Sequence, residues 1–268
     1  MTDHEKDLER IRNFSMMDDD FFTACLNEEN ECTELILHII LNRTDLKVIK
    51  SQAQYFIKNL KGRSVRLDVY AKDTQGKRYN IEMQQASSGA SARRARYYSS
   101  VLDANISTAG ENYDDLPDSY VIFITERDVL KGNRPVYDIR RTVLASGEPF
   151  DDGSHIVYVN GSMQDDTPLG KLMFDLHCTD PNQMHYPALA TKSRYFKEDE
   201  EGVRKMCKAM EEMRIEVENR TRAEESARIA QNMLEQSIPL DVIAKCTGFP
   251  LHELEKMAKS KKTASIPS

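Results

Sequence analysis

The sequence lacks tryptophan altogether and has only five cysteines in 268 residues. The cysteines are scattered and never form a C-x-x-C pair, which argues against a disulfide framework and against a zinc ribbon. No apolar run approaches the roughly 18–20 residues that a membrane-spanning helix needs. The acidic start MTDHEKDLERIRNF has no apolar signal-peptide core. We therefore expect a soluble, cytoplasmic protein with reduced thiols and no membrane partner.

Charge is abundant, and its distribution along the chain is uneven. Charged residues make up 30% of the composition, and the formal net charge is −7. Residues 61–98 carry nine basic and three acidic side chains, a local charge of +6, which leaves −13 on the rest of the chain. A basic island of this kind favours a phosphate backbone as partner. An ordinary solvated surface is the alternative, and composition alone does not decide between them.

The stretch from 64 to 85, SVRLDVYAKDTQGKRYNIEMQQ, has the period-two alternation of two short strands around a tight turn. Its loop is Thr74-Gln75-Gly76, and a three-residue loop that ends in glycine fits a type I turn followed by a left-handed residue. If Asp73 pairs with Lys77 across this loop, Asp68 falls opposite Glu82.

Directly opposed β-carbons in such a hairpin lie about 4.5–5.5 Å apart. Two carboxylates at that distance destabilise a sheet unless a cation lies between them or solvent screens them. The spacing of Asp68 and Glu82 therefore leaves two interpretations open, a metal site and an exposed, screened pair.

The rest of the first two hundred residues alternates between helical and extended patterns. Helix, then hairpin, then helix, then a continuous apolar strand implies a crossover connection and a mixed sheet. In chain order we expect a frayed or weakly helical lead over 1–12, helices on both sides of a break near Asn27, an extended segment over 46–57 and the hairpin. A helix over 91–106 follows, with Ala92, Ala95, Ser99 and Leu102 on its packed face. After it we expect a buried strand over 120–125, a second hairpin of 136–144 with 155–160, and helices over 165–176 and 184–196.

Composition changes after residue 196. Residues 197–236 are rich in charged residues and methionine, a pattern that predicts one long helix or two. Their heptad pattern is too short to establish a coiled coil. Packing of this segment on the domain and a homodimer contact therefore stay equally open. Residues 237–260 have the pattern of a helix-turn-helix, for which a helical hairpin used in protein contact is the alternative. We predict four segments: a domain over 1–196, the charged helical segment, the helix-turn-helix pair, and a basic disordered tail over 261–268.

Five pieces of the sequence together resemble the PD-(D/E)XK nuclease family transposases, which are relatives of the recombination-promoting nucleases. They are MDDDFFTACL, RLDVYAKDTQGKRYNIEMQ, ARRARYYSSVLDA, YVIFIT and LDVIAKCTGFPLHELEKM. The resemblance extends over residues 14–260. It implies an α/β (α+β) fold with a restriction-endonuclease-like core, a mixed central sheet flanked by helices and a helical C-terminal extension. It also implies Mg²⁺-dependent DNA cleavage, with Mn²⁺ as the alternative ion, in recombination or mobile-element activity.

The resemblance assigns roles residue by residue. Asp68 matches the first acid of the motif and Glu82 the second, and with the Met83 carbonyl they would hold the metal. Gln84 stands in the place of the motif's lysine. The first-helix acid is Asp19, in a D-x-x-F pattern, with Glu34 as the weaker candidate. The expected DNA contacts are Lys77, Arg93, Arg94, Arg96 and Tyr97.

Two positions depart from the superfamily motif. Leu67 precedes Asp68 where the motif has proline, and Gln84 is a neutral amide, which can orient a water but cannot supply charge. Either the metal would then activate the water largely alone, or a basic residue such as Lys72 or Arg94 supplies the charge. We expect low intrinsic activity. The alternative function is a catalytically silent DNA- or protein-binding regulatory module that keeps the nuclease fold.

Overall fold

The structure is a computed structural model that describes residues 3–59, 63–85, 89–106 and 112–264. The chain divides into two compact units, residues 1–207 and residues 208–268. The predicted segment boundaries at 196 and 236 stay predictions. None of the helices in the described ranges is long and apolar enough to cross a membrane.

A six-stranded mixed sheet forms the centre of the first unit, with the strand order β1-β2-β3-β4-β6-β5. The strands are β1 Val48–Ile57, β2 Val65–Asp73, β3 Arg78–Gln84, β4 Ser119–Thr125, β5 Val136–Ile139 and β6 Ser154–Asn160. Strands β3, β4 and β6 run parallel, and the other neighbours are antiparallel. The predicted α/β class with a mixed sheet is confirmed.

Helices cover both faces of this sheet. The helices that precede residue 199 are α1 Asp3–Asn13, α2 Asp19–Leu26, α3 Asn30–Leu41, α4 Ala92–Ile106, α5 Pro168–His177 and α6 Pro187–Glu198. Helix α4 is the crossover between β3 and β4 and packs on β4 and β6, whereas α2 and α3 contact β1. All seven residues of β4 are buried. Because neighbouring residues of a strand point to opposite faces, neither face of the central sheet is open to water.

Two predicted details were wrong. Strand β5 ends at Ile139, opposite Ile156, rather than at residue 144, because the chain beyond Ile139 leaves β6 and forms its own loop, in which Thr142 pairs with Pro149. Ala92 is exposed, and Val101 takes a place on the buried face of α4 instead. Of the two alternatives for the lead, the helical one is observed, over Asp3–Asn13, and its Ile11 is buried.

The C-terminal helices follow the predicted pattern. The charged segment forms a single helix, α7 Glu200–Glu235. Helices α8 Leu240–Thr247 and α9 Leu251–Ala264 flank Gly248, which has a φ of +76° and so ends α8 in the left-handed conformation that glycine adopts without strain. Their shared core consists of Ala230, Ile243 and Leu254.

The predicted disordered tail begins too early. Helix α9 extends as far as Ala264, because no glycine or proline interrupts 251–264 and lysine is a good helix former. Residues 265–268 of the predicted tail lie outside the described residues.

Candidate active site

The turn of the β2–β3 hairpin fixes the register of both strands. Observed pairs run from Val69 with Ile81 to Lys72 with Arg78. At the end of the hairpin the Asp73 N–H donates to the Lys77 carbonyl at 3.2 Å, and Gly76 has a φ of +85°. The predicted pairing across a three-residue loop is therefore confirmed.

Asp68 and Glu82 meet where this ladder of paired residues ends. The Asp68 N–H donates to Glu82 Oε1 at 3.2 Å, and the Met83 N–H donates to Asp68 Oδ2 at 2.9 Å. Each acid thus accepts a hydrogen bond from the backbone of the opposite strand. The two carboxylates hold β2 and β3 together at the point where backbone pairing stops.

This carboxylate pair is buried. Asp68 is 9% exposed and Glu82 is 1% exposed. Burial raises the pKa of Asp68 well above its usual range; Glu82 and Asp19 raise it further, and the Met83 N–H and Arg94 oppose the change. Burial also raises the pKa of Glu82, against the lowering effect of Arg94. A buried pair of this kind favours either a proton or a cation between its members.

Arg94 of helix α4 supplies a cation beside the pair. Its Nη2 lies 2.9 Å from Glu82 Oε2. Its Nη1 donates to Gln84 Oε1 and to the Gly89 carbonyl, each at 2.9 Å. The guanidinium carbon lies 4.9 Å from the centre of the Tyr98 ring and 5.7 Å from that of Phe123. Arg94 is therefore a member of the site rather than a solvated surface residue.

Gln84 is held in a narrow space. A β-carbon added to Gly89 would come within 2.0 Å of the Gln84 side-chain amide. Because Gly89 has no β-carbon, the Gln84 side chain can occupy the space beside Arg94. Sequence reasoning missed Gly89, Tyr98 and Phe123. The i, i+4 spacing of Arg94 and Tyr98 was the one signal that could have found part of this group.

A cleft of about 540 Å³ opens beside these residues. It is lined by Arg10, Phe14, Met17, Asp18, Asp19, Asp20, Asp68, Met83, Gln84, Gln85 and Arg94. Gln85 joins the strand to the start of α2, because its Nε2 donates to the Met17 carbonyl at 3.0 Å and to Asp18 Oδ1 at 3.2 Å.

Asp19, the residue predicted as the first-helix acid, is the first residue of α2 and lines this cleft. Loss of hydration and the nearby Asp20 raise the pKa of Asp19 to about 6, while Arg94 opposes the shift. Glu34, the other candidate, accepts a hydrogen bond from the Val48 N–H at 2.7 Å at the start of β1. The structure brings Asp19 towards the carboxylate pair and leaves Glu34 in a contact between helix and strand.

The residues predicted to contact DNA have different surroundings. Arg93 and Arg96 are exposed on α4. The Tyr97 hydroxyl donates to the Arg63 carbonyl and accepts from the Asn59 amide at 3.3 Å. Lys77 directly follows the hairpin turn, and its Nζ lies 2.6 Å from Asp118 Oδ2. The structure does not bring Lys77 to the cleft.

The donor groups suit a hard divalent ion, although they do not form a ready-made cluster. Carboxylate and carbonyl oxygens are the donors that Mg²⁺ prefers, and Asp68, Glu82 and the Met83 carbonyl supply them. Within the described ranges, no group of three or more His, Cys, Asp or Glu is arranged to hold a metal ion. The residues therefore fit a divalent ion by their chemistry, with Arg94 as a second cation at Glu82.

Comparison with known proteins finds a matching family. A family described as PD-(D/E)XK nuclease family transposase matches residues 26–237. Neither the curated proteins nor the solved structures contain a match. The matched range includes all six strands and the residues from Asp68 to Arg94, but it begins after Asp19 and ends before α8.

Proposed function

Because the chain belongs to the PD-(D/E)XK nuclease family transposases, we propose that it is a divalent-metal-dependent DNA endonuclease that acts at Asp68 and Glu82. The observation that carries this proposal is the buried pair of carboxylates at the point where β2 and β3 stop pairing, with Arg94 beside it. Burying two like charges lowers the stability of the folded protein, and a bound divalent ion offsets that loss.

Asp68, Glu82 and the Met83 carbonyl would hold the ion, with Asp19 as a third acid at the edge of the cleft. When bound, Mg²⁺ or Mn²⁺ would supply Lewis-acid stabilisation of the phosphate charge and an activated water for hydrolysis of the phosphodiester. Gln84 would orient that water by hydrogen bonding. Arg94 would supply the positive charge that lysine gives the superfamily motif.

Substrate contacts are proposed for helix α4. Arg93 and Arg96 are exposed on it, in the part of the sequence with a local charge of +6. Contacts of this type neutralise phosphates and position a duplex without reading its sequence. Binding by these arginines is therefore expected to weaken as salt increases. The recombination role, the cytoplasmic location and a homodimer through the C-terminal helices stay predictions.

Plasmid nicking by the purified full-length protein tests this function. We expect Mg²⁺- or Mn²⁺-dependent nicking that Asp68→Asn and Glu82→Gln each abolish, because an amide has no charge with which to hold a divalent ion. Glu126→Gln is the matched control, since Glu126 is an exposed acid just beyond the neighbouring strand β4. Nicking that survives in both site variants would exclude this site.

A second candidate function is a silent binding module. Gln84 in the place of lysine, and Glu82 oxygens that already accept hydrogen bonds from Asp68 and Arg94, both favour it. This alternative predicts salt-dependent DNA binding, no nicking with any divalent ion and no metal-induced rise in melting temperature. A melting temperature that rises with Mn²⁺ in the wild type but not in Asp68→Asn would decide for the nuclease.

A further inference from the structure

Both carboxylate oxygens of Glu82 already have partners within the protein. Oε1 accepts from the Asp68 N–H at 3.2 Å, and Oε2 accepts from Arg94 at 2.9 Å. The Glu82 side chain is 1% exposed, whereas that of Arg94 is 34% exposed. Arg94 therefore lies between Glu82 and the solvent, on the oxygen that does not bind the backbone.

The other partners of Arg94 are neutral. The guanidinium donates to the Gln84 amide oxygen and the Gly89 carbonyl, and it lies over the Tyr98 and Phe123 rings. Carbonyl oxygens and ring faces attract a cation without neutralising it. Arg94 would remain anchored by these groups even without Glu82, with its charge next to the cleft that Asp19 and Asp68 line.

We propose that Arg94 is the cationic residue of the catalytic centre and that it competes with the divalent ion for Glu82 Oε2. Two cations cannot share one carboxylate oxygen without strong mutual repulsion, which a buried setting screens poorly. Arg94 would thus neutralise the carboxylate pair in the ion-free protein and release Glu82 when the ion binds. It would then direct its charge to the phosphate while Gly89, Tyr98 and Phe123 hold its position. This inference rests on the proposed nuclease function.

The competition can be measured without any cleavage. Mn²⁺ is titrated into the full-length protein by calorimetry in the absence of DNA, with wild type, Arg94→Gln and Arg93→Gln compared. Arg94→Gln should bind the ion roughly tenfold more tightly, since the ion no longer displaces a charge-assisted hydrogen bond. Arg93→Gln removes the same charge from the neighbouring exposed position and should leave ion affinity unchanged. Arg94→Lys, which keeps the charge, should stay close to wild type.

The outcomes separate this inference from the nuclease function itself. If wild type binds the ion and Arg94→Gln binds it equally or less tightly, competition is refuted while the metal site stands. If Arg94→Gln binds the ion and wild type does not, competition is supported. If neither protein binds Mn²⁺, both the competition and the proposed function are wrong.

Moving the positive charge from position 94 to position 84 tests the second part of the proposal, that Arg94 directs its charge to the phosphate. Arg94→Gln should lose turnover more than DNA affinity, and a lysine at Gln84, which lies 2.9 Å from Arg94, should restore part of that turnover in the double variant Gln84→Lys/Arg94→Gln. If Arg94 had only a structural role, a lysine at position 84 on β3 would not restore turnover. Loss of DNA affinity alone, equal to that of Arg93→Gln, would make Arg94 an ordinary phosphate contact and overturn the assignment.

Discussion

Asp73 fixes the turn that sets the register of the β2–β3 hairpin, and its replacement gives the sharpest test of the fold around the candidate site. Its buried carboxylate accepts hydrogen bonds from the Gln75 and Lys77 N–H groups at 2.9 Å each and from the Tyr79 hydroxyl at 2.7 Å. Asp73 and Tyr79 are both 0% exposed. Asp73→Ala therefore leaves a buried hydroxyl and two turn amides without an acceptor.

The expected loss follows from the surroundings of each donor. A hydrogen bond to a charged group contributes about 1.5–3 kcal/mol. The two turn amides can regain water, whereas the buried Tyr79 hydroxyl cannot, so we expect Asp73→Ala to reduce the free energy of unfolding by about 3–4 kcal/mol. In Asp73→Ala/Tyr79→Phe the orphaned hydroxyl is gone, so the double variant should lose clearly less than the sum of the two single variants.

Urea unfolding followed by far-ultraviolet circular dichroism measures these losses, since the chain has no tryptophan to report by fluorescence. Asp128 provides the control: it accepts from three loop amides and from the Tyr137 hydroxyl at 2.7 Å, but in a half-buried loop that water can enter. Asp128→Ala should cost less than half as much. A loss below about 1 kcal/mol for Asp73→Ala, or strict additivity in the double variant, would refute the reasoning.

Three further predictions concern the site and its support. Gly89→Ala should reduce plasmid nicking with less than about 1 kcal/mol lost in urea unfolding, because the new methyl displaces Gln84 and with it an acceptor of Arg94. Burial raises the pKa of Glu82, so its ionised form is disfavoured in the fold and native stability falls as pH rises from the unfolded to the folded pKa. Glu82→Gln should therefore gain stability relative to wild type between about pH 4 and pH 8, measured by urea unfolding at both values. Lys197→Met should cost about 1–3 kcal/mol in the same assay, because the ammonium donates to the carbonyls of Arg12, Phe14 and Thr179.

Each of these has an opposite result that would count against it. Full nicking by Gly89→Ala would mean that the position of Gln84 does not matter for the reaction. If the stability difference between Glu82→Gln and wild type did not change with pH, burial would not raise the pKa of Glu82. Unchanged unfolding of Lys197→Met would mean that water replaces its three carbonyl contacts.

The hairpin could be predicted from the sequence because its determinants are local. Loop length and Gly76 fix the turn, the turn fixes the register, and the register places Asp68 and Glu82 together just beyond the last pair, Val69 and Ile81. The continuous apolar run of β4 likewise needs no partner to be recognised as a buried strand. Such features depend on residues within a few positions of each other.

The role of Arg94 could not be predicted in the same way. Alternation and helical spacing show that Arg93, Arg94 and Arg96 lie on one helix, but the roll of α4 on the sheet decides which of them reaches Glu82. The helical pattern places Ala95 and Leu102 on the packed face of α4, but the contacts of that face with β4 and β6, which set the roll, depend on residues far away in the sequence. The end of β5 was mispredicted for a related reason, since the point at which the chain leaves β6 decides it.

The segment from β2 to α4 is short, and this has a consequence for the inheritance of the candidate site. Asp68, Glu82, Gln84 and Arg94 all lie within one uninterrupted segment, with Gly89 and the turn that sets its register inside the same limits. A single genetic exchange of that segment would carry the acids, their counter-charge and their spacing together. The surrounding sheet and helices are then free to diverge, provided that they still present a rigid β4 for the segment to pair with.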